Sequence, residues 1–265
     1  MVETVTLSDG HTMPAIGLGV YLNDECAEAC RVALQNGYRM IDGARYYENE
    51  VQVGVGVGES GVKREDVFIT SKVYHPDYTY DGTTAALKES IANLGSSYYD
   101  LYLTHSALGG KDARLSAYRA LLDGKANGMI KSVGVSNYSA KHIEEIREAG
   151  LEIPVVNQIE LHPFCQQKPI VEYCRKNNIV VQAYSPLVCG ALDNPVIQEL
   201  STKYSKDPAQ ILVRFVPLPK SSQPGRIISN SQVFGWEIEP TDMAKLDALD
   251  RGKEGAVTWN PVDVD

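Results

Sequence analysis

Four reactive side chains fall in order along the first 105 residues: Asp42, Tyr47, Lys72 and His105. Three of them close an apolar, strand-like run. Asp42 follows Met40-Ile41, Lys72 follows Phe68-Ile69-Thr70-Ser71, and His105 follows Leu101-Tyr102-Leu103-Thr104, with Tyr47 five positions beyond Asp42. An acid, a phenol, an amine and an imidazole delivered from successive strand ends are the components of a proton-transfer site. A free phenol, with a pKa of about 10, is a reluctant acid at neutral pH. An ammonium at Lys72 beside Tyr47 would favour the phenolate, and Asp42 would keep that lysine charged and oriented. His105 is suited to hydrogen-bond the oxygen of a bound carbonyl and relay a proton. The reaction such a set serves is protonation of an alkoxide while something else attacks the carbonyl carbon. Taken singly, each strand-end residue is more often solvated or structural; the ordered set on consecutive strands carries the reading. Tyr46 is a rival phenol that composition does not separate from Tyr47.

The attacking group has to come from outside, because no side chain pairs a nucleophile with an activating base, and no metal-ligand cluster is evident. A hydride from a nicotinamide fits. Ser136, Asn137 and Gln158, at further strand ends, offer amide and hydroxyl groups suited to a carboxamide. Tyr184, with Ser185 and Leu187 just beyond it, offers an aromatic face for stacking on a ring. Lys220 and Ser221 with Arg226 and Asn230 bring cations and polar groups to a helix start, the composition of a phosphate site. The glycine-rich run Gly54-Val55-Gly56-Val57-Gly58 lacks the Gly-x-Gly-x-x-Gly spacing after a strand and reads as the end of a helix.

These side chains need a scaffold that aims them at one place. Apolar runs at residues 16–20, 38–41, 67–70, 101–104, 132–135, 155–159, 179–183 and 216–218 give eight strand candidates. They alternate with helical segments such as Ala85-Leu87-Ile91-Leu94, whose ends carry turn signals at Asn36-Gly37 and Asn127-Gly128. That alternation predicts an α/β protein of the closed (β/α)₈ TIM barrel type over an open sheet, with chemistry at the C-terminal strand ends. Residues 4–7 and 12–15 around Asp9-Gly10 predict an N-terminal β-hairpin. At 265 residues without a low-complexity linker, one domain spanning 1–265 is expected. A net charge of −9 argues against nucleic acid or anionic membrane as the main partner. Five cysteines without zinc or Cys-x-x-Cys spacing suit reduced thiols. With no apolar run near the roughly 20 residues that span a bilayer, and no leader-like start, a cytoplasmic monomer is expected.

The stretch Ile41-Asp42-Gly43-Ala44-Arg45-Tyr46-Tyr47-Glu48-Asn49-Glu50, together with Gly134-Val135-Ser136-Asn137-Tyr138 and Val216-Pro217-Leu218-Pro219-Lys220-Ser221, resembles the three signatures of the aldo-keto reductase superfamily, from about Val5 to Trp259. The resemblance selects Tyr47 over Tyr46 and implies a catalytic tetrad of Asp42, Tyr47, Lys72 and His105, with Tyr47 as general acid in carbonyl reduction. It also implies NADPH/NADP+, its carboxamide held by Ser136, Asn137 and Gln158, its ring on Tyr184, and its 2′-phosphate met by Lys220, Ser221 and Arg226. Four departures are visible. Gly43 replaces a common hydroxyl residue. Ser229 stands where a carboxylate often helps hold the adenine, which implies weaker cofactor binding. Ser106-Ala107 follows His105 where many members place tryptophan, which implies a wider pocket walled by Tyr21, Tyr74, Ser106 and Trp259.

The fourth departure is a connection. About half a dozen residues usual between the helix at Ile211-Leu212-Val213-Arg214 and the strand beginning at Val216 are missing, although such turns normally take 2 to 6. A shortened helix or a poorly formed strand is expected within residues 205–230, with damage to the phosphate site. The leading expectation is NADPH-dependent reduction of small aldehydes or ketones. The alternatives are a non-catalytic or weakly active NADP(H)-binding protein on the same scaffold, and an aldolase or isomerase using Lys72 as a Schiff base.

Overall fold

The computed structural model describes residues 3–215 and 220–265. The chain opens with β1 (Thr4–Thr6) and β2 (Thr12–Pro14), paired antiparallel across a turn in which Gly10 takes φ +89°, a conformation that glycine adopts at no steric cost. Strands and helices then alternate: β3 (Leu18–Gly19), α1 (Cys26–Gln35), β4 (Met40–Asp42), α2 (Glu50–Glu59), β5 (Phe68–Val73), α3 (Tyr80–Leu94), β6 (Tyr99–Thr104), α4 (Lys111–Ala126), β7 (Ile130–Ser136), α5 (Ala140–Glu148), β8 (Val156–Glu160), α6 (Lys168–Lys176) and β9 (Val180–Tyr184). Four helices follow, α7 (Pro195–Tyr204), α8 (Pro208–Phe215), α9 (Pro224–Ser231) and α10 (Pro240–Asp247).

Strands β3 to β9 form one parallel sheet in chain order, and Lys220 makes a parallel bridge to Gly19 of β3. The result is the nearly closed barrel with an N-terminal hairpin that the alternation predicts. The eighth strand candidate, residues 216–218, lies outside the described residues. Helix α8 runs from Pro208 to Phe215, so the shortened connection directly after it lies outside the described residues as well.

The two-residue period of a strand explains why chemistry collects at one end. Met40, Phe68, Leu101, Leu103 and Val156 share one apolar cluster with Leu7 and Met13 of the hairpin region, which plugs the N-terminal end of the barrel. One or two steps further along the same inward columns come Asp42, Lys72, His105, Gln158 and Gln182. The alternate residues Ile41, Ile69, Tyr102, Val133, Val135 and Ile159 face outward into the larger cluster beneath the helices.

The glycine-rich run lies in α2, as its spacing predicts, and serves packing. A Cβ at Gly54 would sit 2.4 Å from the Leu94 carbonyl oxygen, and one at Gly56 2.4 Å from that of Ala27. Helices α3 and α1 therefore approach α2 more closely than any side chain would allow. All five cysteines are free thiols, four of them buried. Among the described residues, no helix is long and apolar enough to cross a membrane.

Candidate active site

The ends of β4 and β5 bring Asp42 and Lys72 together inside the barrel mouth. Lys72 Nζ donates to Asp42 Oδ1 at 2.8 Å, to the Gly43 carbonyl oxygen at 2.7 Å and to the Tyr47 hydroxyl at 3.5 Å. All three ammonium donors are therefore directed, and none of the side chain is exposed. The other oxygen of Asp42 accepts from Gln158 Nε2 at 2.7 Å.

Tyr47 reaches this pair because the chain after β4 tightens into a single 3₁₀ turn, Arg45–Tyr47, followed by Glu48 at φ +55°. Arg45 pins the turn to Asp77 at 3.2 Å and Glu89 at 2.6 Å, and Asn49 Nδ2 ties its far side to the Val20 carbonyl at 2.8 Å. The turn separates the two phenols that composition leaves equivalent. Tyr46 points outward, 51% exposed, with its ring 4.5 Å from that of Tyr74. Tyr47 packs between Tyr21, at 4.9 Å, and His105, at 5.7 Å between ring centres.

The electrostatics correct one expectation. Burial holds the Tyr47 phenol well above its ordinary pKa, and Asp42 and Tyr21 push the same way. The Lys72 ammonium favours the phenolate, but the cost of losing water, with the Asp42 charge added to it, outweighs that help. Burial likewise lowers the Lys72 ammonium, with Asp42 opposing. A protonated phenol whose oxygen accepts from an ammonium has its own hydrogen free to point at a ligand, the posture of a proton donor. His105 is pushed well below the usual imidazole value by burial, then by Lys72 and His75, so it is neutral at pH 7. Its Nδ1 is buried and has no hydrogen-bond partner among the described residues.

This depression sets a pH dependence of stability. Below the unfolded pKa of about 6.5 the unfolded chain binds a proton that folded His105 does not, so stability contributed by the neutral ring is lost as pH falls from 6.5. His75 and His142 are lowered by burial as well and act with the same sign. Thermal midpoints measured from pH 7.5 to 5 should fall, with a shallower slope for His105→Gln; equal slopes in the two proteins would refute the assignment.

The residues expected to hold a carboxamide meet at the same mouth but are already engaged. Ser136 Oγ donates to the Gln158 carbonyl at 2.9 Å. Asn137, at φ +59°, donates from Nδ2 to the His105 carbonyl at 3.3 Å and to Ser136 Oγ at 3.2 Å, and accepts at Oδ1 from the Tyr184 hydroxyl at 2.9 Å. Gln158 Nε2 is taken by Asp42 and by Gln182 Oε1 at 2.6 Å, so Gln158 offers a ligand its carbonyl oxygen and not its amide hydrogens. Ser185 takes φ +54° directly after β9, and Leu187 is half-buried beside it. Strained non-glycine backbone of this kind clusters at sites of function.

After residue 219, Lys220 and Arg226 are exposed, while Ser221 and Asn230 are buried. Ser221 Oγ accepts from the Gln223 amide at 3.1 Å, just before Pro224 opens α9. Ser229, noted for lacking a carboxylate, has one beside it: its Oγ donates to Asp207 Oδ2 at 2.8 Å. Of the pocket residues, Tyr21 and Trp259 are exposed at 45% and 50% and Tyr74 stacks on Tyr46. Ser106 does not face the pocket. It is fully enclosed, and its carbonyl accepts from the Tyr78 hydroxyl at 2.8 Å.

Sequence reasoning missed Gln182, level with Gln158 in the β8–β9 register, and Glu160 at the end of β8. Both sit two positions from a residue already placed on the inward face, and that spacing was the available signal.

The family model for the aldo/keto reductase family matches residues 10–211. The chain belongs to the aldo/keto reductase family. Among its relatives, a glyoxal reductase of Bacillus subtilis is 42% identical, over 98% of this chain and 96% of that protein. A morphine 6-dehydrogenase of Pseudomonas putida is 36% identical over 98% and 95%. Among solved structures, an aldo-keto reductase from a Medee basin deep-sea metagenome library superposes with a TM-score of 0.94 at 36% identity, covering 99% of this chain and 100% of that one. A Bombyx mori aldo-keto reductase in complex with NADP gives 0.90 at 32% identity, covering 98% and 95%.

Proposed function

We propose that this aldo-keto reductase reduces small aldehydes, ketones or dicarbonyls to alcohols with NADPH. The observation that carries the reading is the enclosed Asp42–Lys72 pair with the Tyr47 hydroxyl 3.5 Å from Nζ and a neutral His105 alongside. The glyoxal reductase relative supports a small dicarbonyl as substrate, and the NADP-bound neighbour supports the cofactor.

In this reading Tyr47 gives its proton to the carbonyl oxygen as negative charge builds there. Lys72 donates toward the phenol oxygen and stabilises the charge left on it. Asp42 holds Lys72 in place and balances it. Neutral His105 donates one N–H to the same carbonyl oxygen and orients it. NADPH, when bound, supplies the hydride that no side chain here can deliver. Tyr184 would stack on its ring, with Ser136, Asn137 and the Gln158 carbonyl oxygen facing its carboxamide. Lys220, Ser221, Arg226 and Asn230 would face its 2′-phosphate, with Asp207 beside Ser229 supplying a carboxylate for the adenine side. A Schiff base at Lys72 is disfavoured, since every donor on Nζ is already committed.

The test is consumption of NADPH by the purified chain with glyoxal-type dicarbonyls and small aldehydes, with NADH alongside. Turnover that is faster with NADPH is expected. A folded protein that binds NADPH and turns over none of them would favour the non-catalytic reading.

A further inference from the structure

Glu160 ends β8 with its side chain wholly enclosed, yet the proposed chemistry does not use it. Its carboxylate accepts four hydrogen bonds. One comes from His162 Nε2 at 2.8 Å. The other three come from a segment almost 100 residues away in sequence: the Val257 amide at 2.6 Å, the Thr258 amide at 3.2 Å and the Thr258 hydroxyl. One residue further, the Trp259 carbonyl lies 3.1 Å from the Tyr184 hydroxyl and shares its single hydrogen with Asn137 Oδ1. Just before the segment, a Cβ on Gly255 would lie 1.7 Å from the Phe164 carbonyl oxygen, so only glycine lets the chain pass there. The far end is fixed as well, with Val262 buried and the Val264 carbonyl bonded to His142 Nε2 at 2.8 Å. Residues 256–260 therefore form a strap across the barrel mouth. One face of it is tied to a buried charge, and the other presents the half-exposed indole of Trp259.

A carboxylate kept out of water persists only where donors satisfy it. Here the strap supplies most of them, so the strap's position and the charge depend on each other. We propose that Glu160 is a positioning residue for carbonyl reduction: it latches the strap so that Trp259 walls the substrate pocket and the Trp259 carbonyl fixes the Tyr184 hydroxyl. This rests on the reductase reading for its kinetic consequence but not for the latch itself.

Two measurements separate the two. Hydrogen exchange of residues 256–260 reads the latch without cofactor or substrate, because the Val257 and Thr258 amides are the donors. In Glu160→Gln, exchange there should quicken by about tenfold or more while β7 and β8 exchange as before. In Thr258→Val, which removes only the hydroxyl donor and guards against a variant that fails to fold, a smaller increase is expected. With a turned-over carbonyl, KM should rise by about tenfold in Glu160→Gln with kcat within about threefold. Unchanged exchange in both variants would overturn the latch. Quickened exchange with an unchanged KM would overturn its role in positioning. A wild-type protein without turnover would count against the reductase reading and leave the exchange result to decide the latch.

Discussion

Tyr47→Phe should lose carbonyl reduction by about 10²–10⁴-fold while its affinity for NADPH stays within about twofold of the parent. The substitution removes one oxygen from a ring wedged between Tyr21 and His105, so packing is preserved. The site loses only the proton it gives, and Lys72 keeps its bonds to Asp42 and Gly43. Tyr46→Phe is the internal control and should be nearly silent, because that phenol lies outside on Tyr74. Steady-state rates with the best carbonyl, beside a fluorescence titration of NADPH, decide the matter. A Tyr47→Phe enzyme retaining a third of its activity would remove Tyr47 from the chemistry.

Lys72→Met has two expected effects that can be read separately. Activity should fall at least as far as in Tyr47→Phe, because the stabilising cation beside the phenol is gone. Stability should fall by about 3–5 kcal/mol, because Asp42 is left as a buried carboxylate with only the Gln158 amide for company. The double variant Asp42→Asn/Lys72→Met removes both charges and should regain most of that stability and none of the activity. Urea unfolding of the parent, the single and the double variants tests the first claim, and turnover tests the second. A Lys72→Met protein as stable as its parent would show that the pair is not enclosed as described.

Much of this site is legible in the chain, for a reason rooted in strand geometry. Asp42, Lys72 and His105 terminate apolar runs, and in a parallel barrel the C-terminal end of every strand opens on one mouth. The period of two then says which residues face inward, and it reaches Gln182, two before Tyr184, and Glu160, two after Gln158. Residue types alone leave Tyr46 and Tyr47 equivalent, and only the resemblance selects Tyr47, because the difference between them rests on one 3₁₀ turn anchored by Arg45, a matter of tertiary ion pairing. The sign of the Tyr47 shift is set first by burial, with the Asp42 charge adding to it, and composition shows neither how deeply a phenol is buried nor which charges face it. The same limit applies to Gln158, whose amide hydrogens look free in the sequence and are spent on Asp42 and Gln182 in the fold.

The hairpin plug has a consequence for traffic. With Leu7 and Met13 packed under Met40, Phe68 and Leu101, the barrel is a vessel with a floor. Anything that meets at Asp42, Lys72 and Tyr47 must come and go by the same door. In the proposed reduction, cofactor and carbonyl would therefore have to share that one mouth.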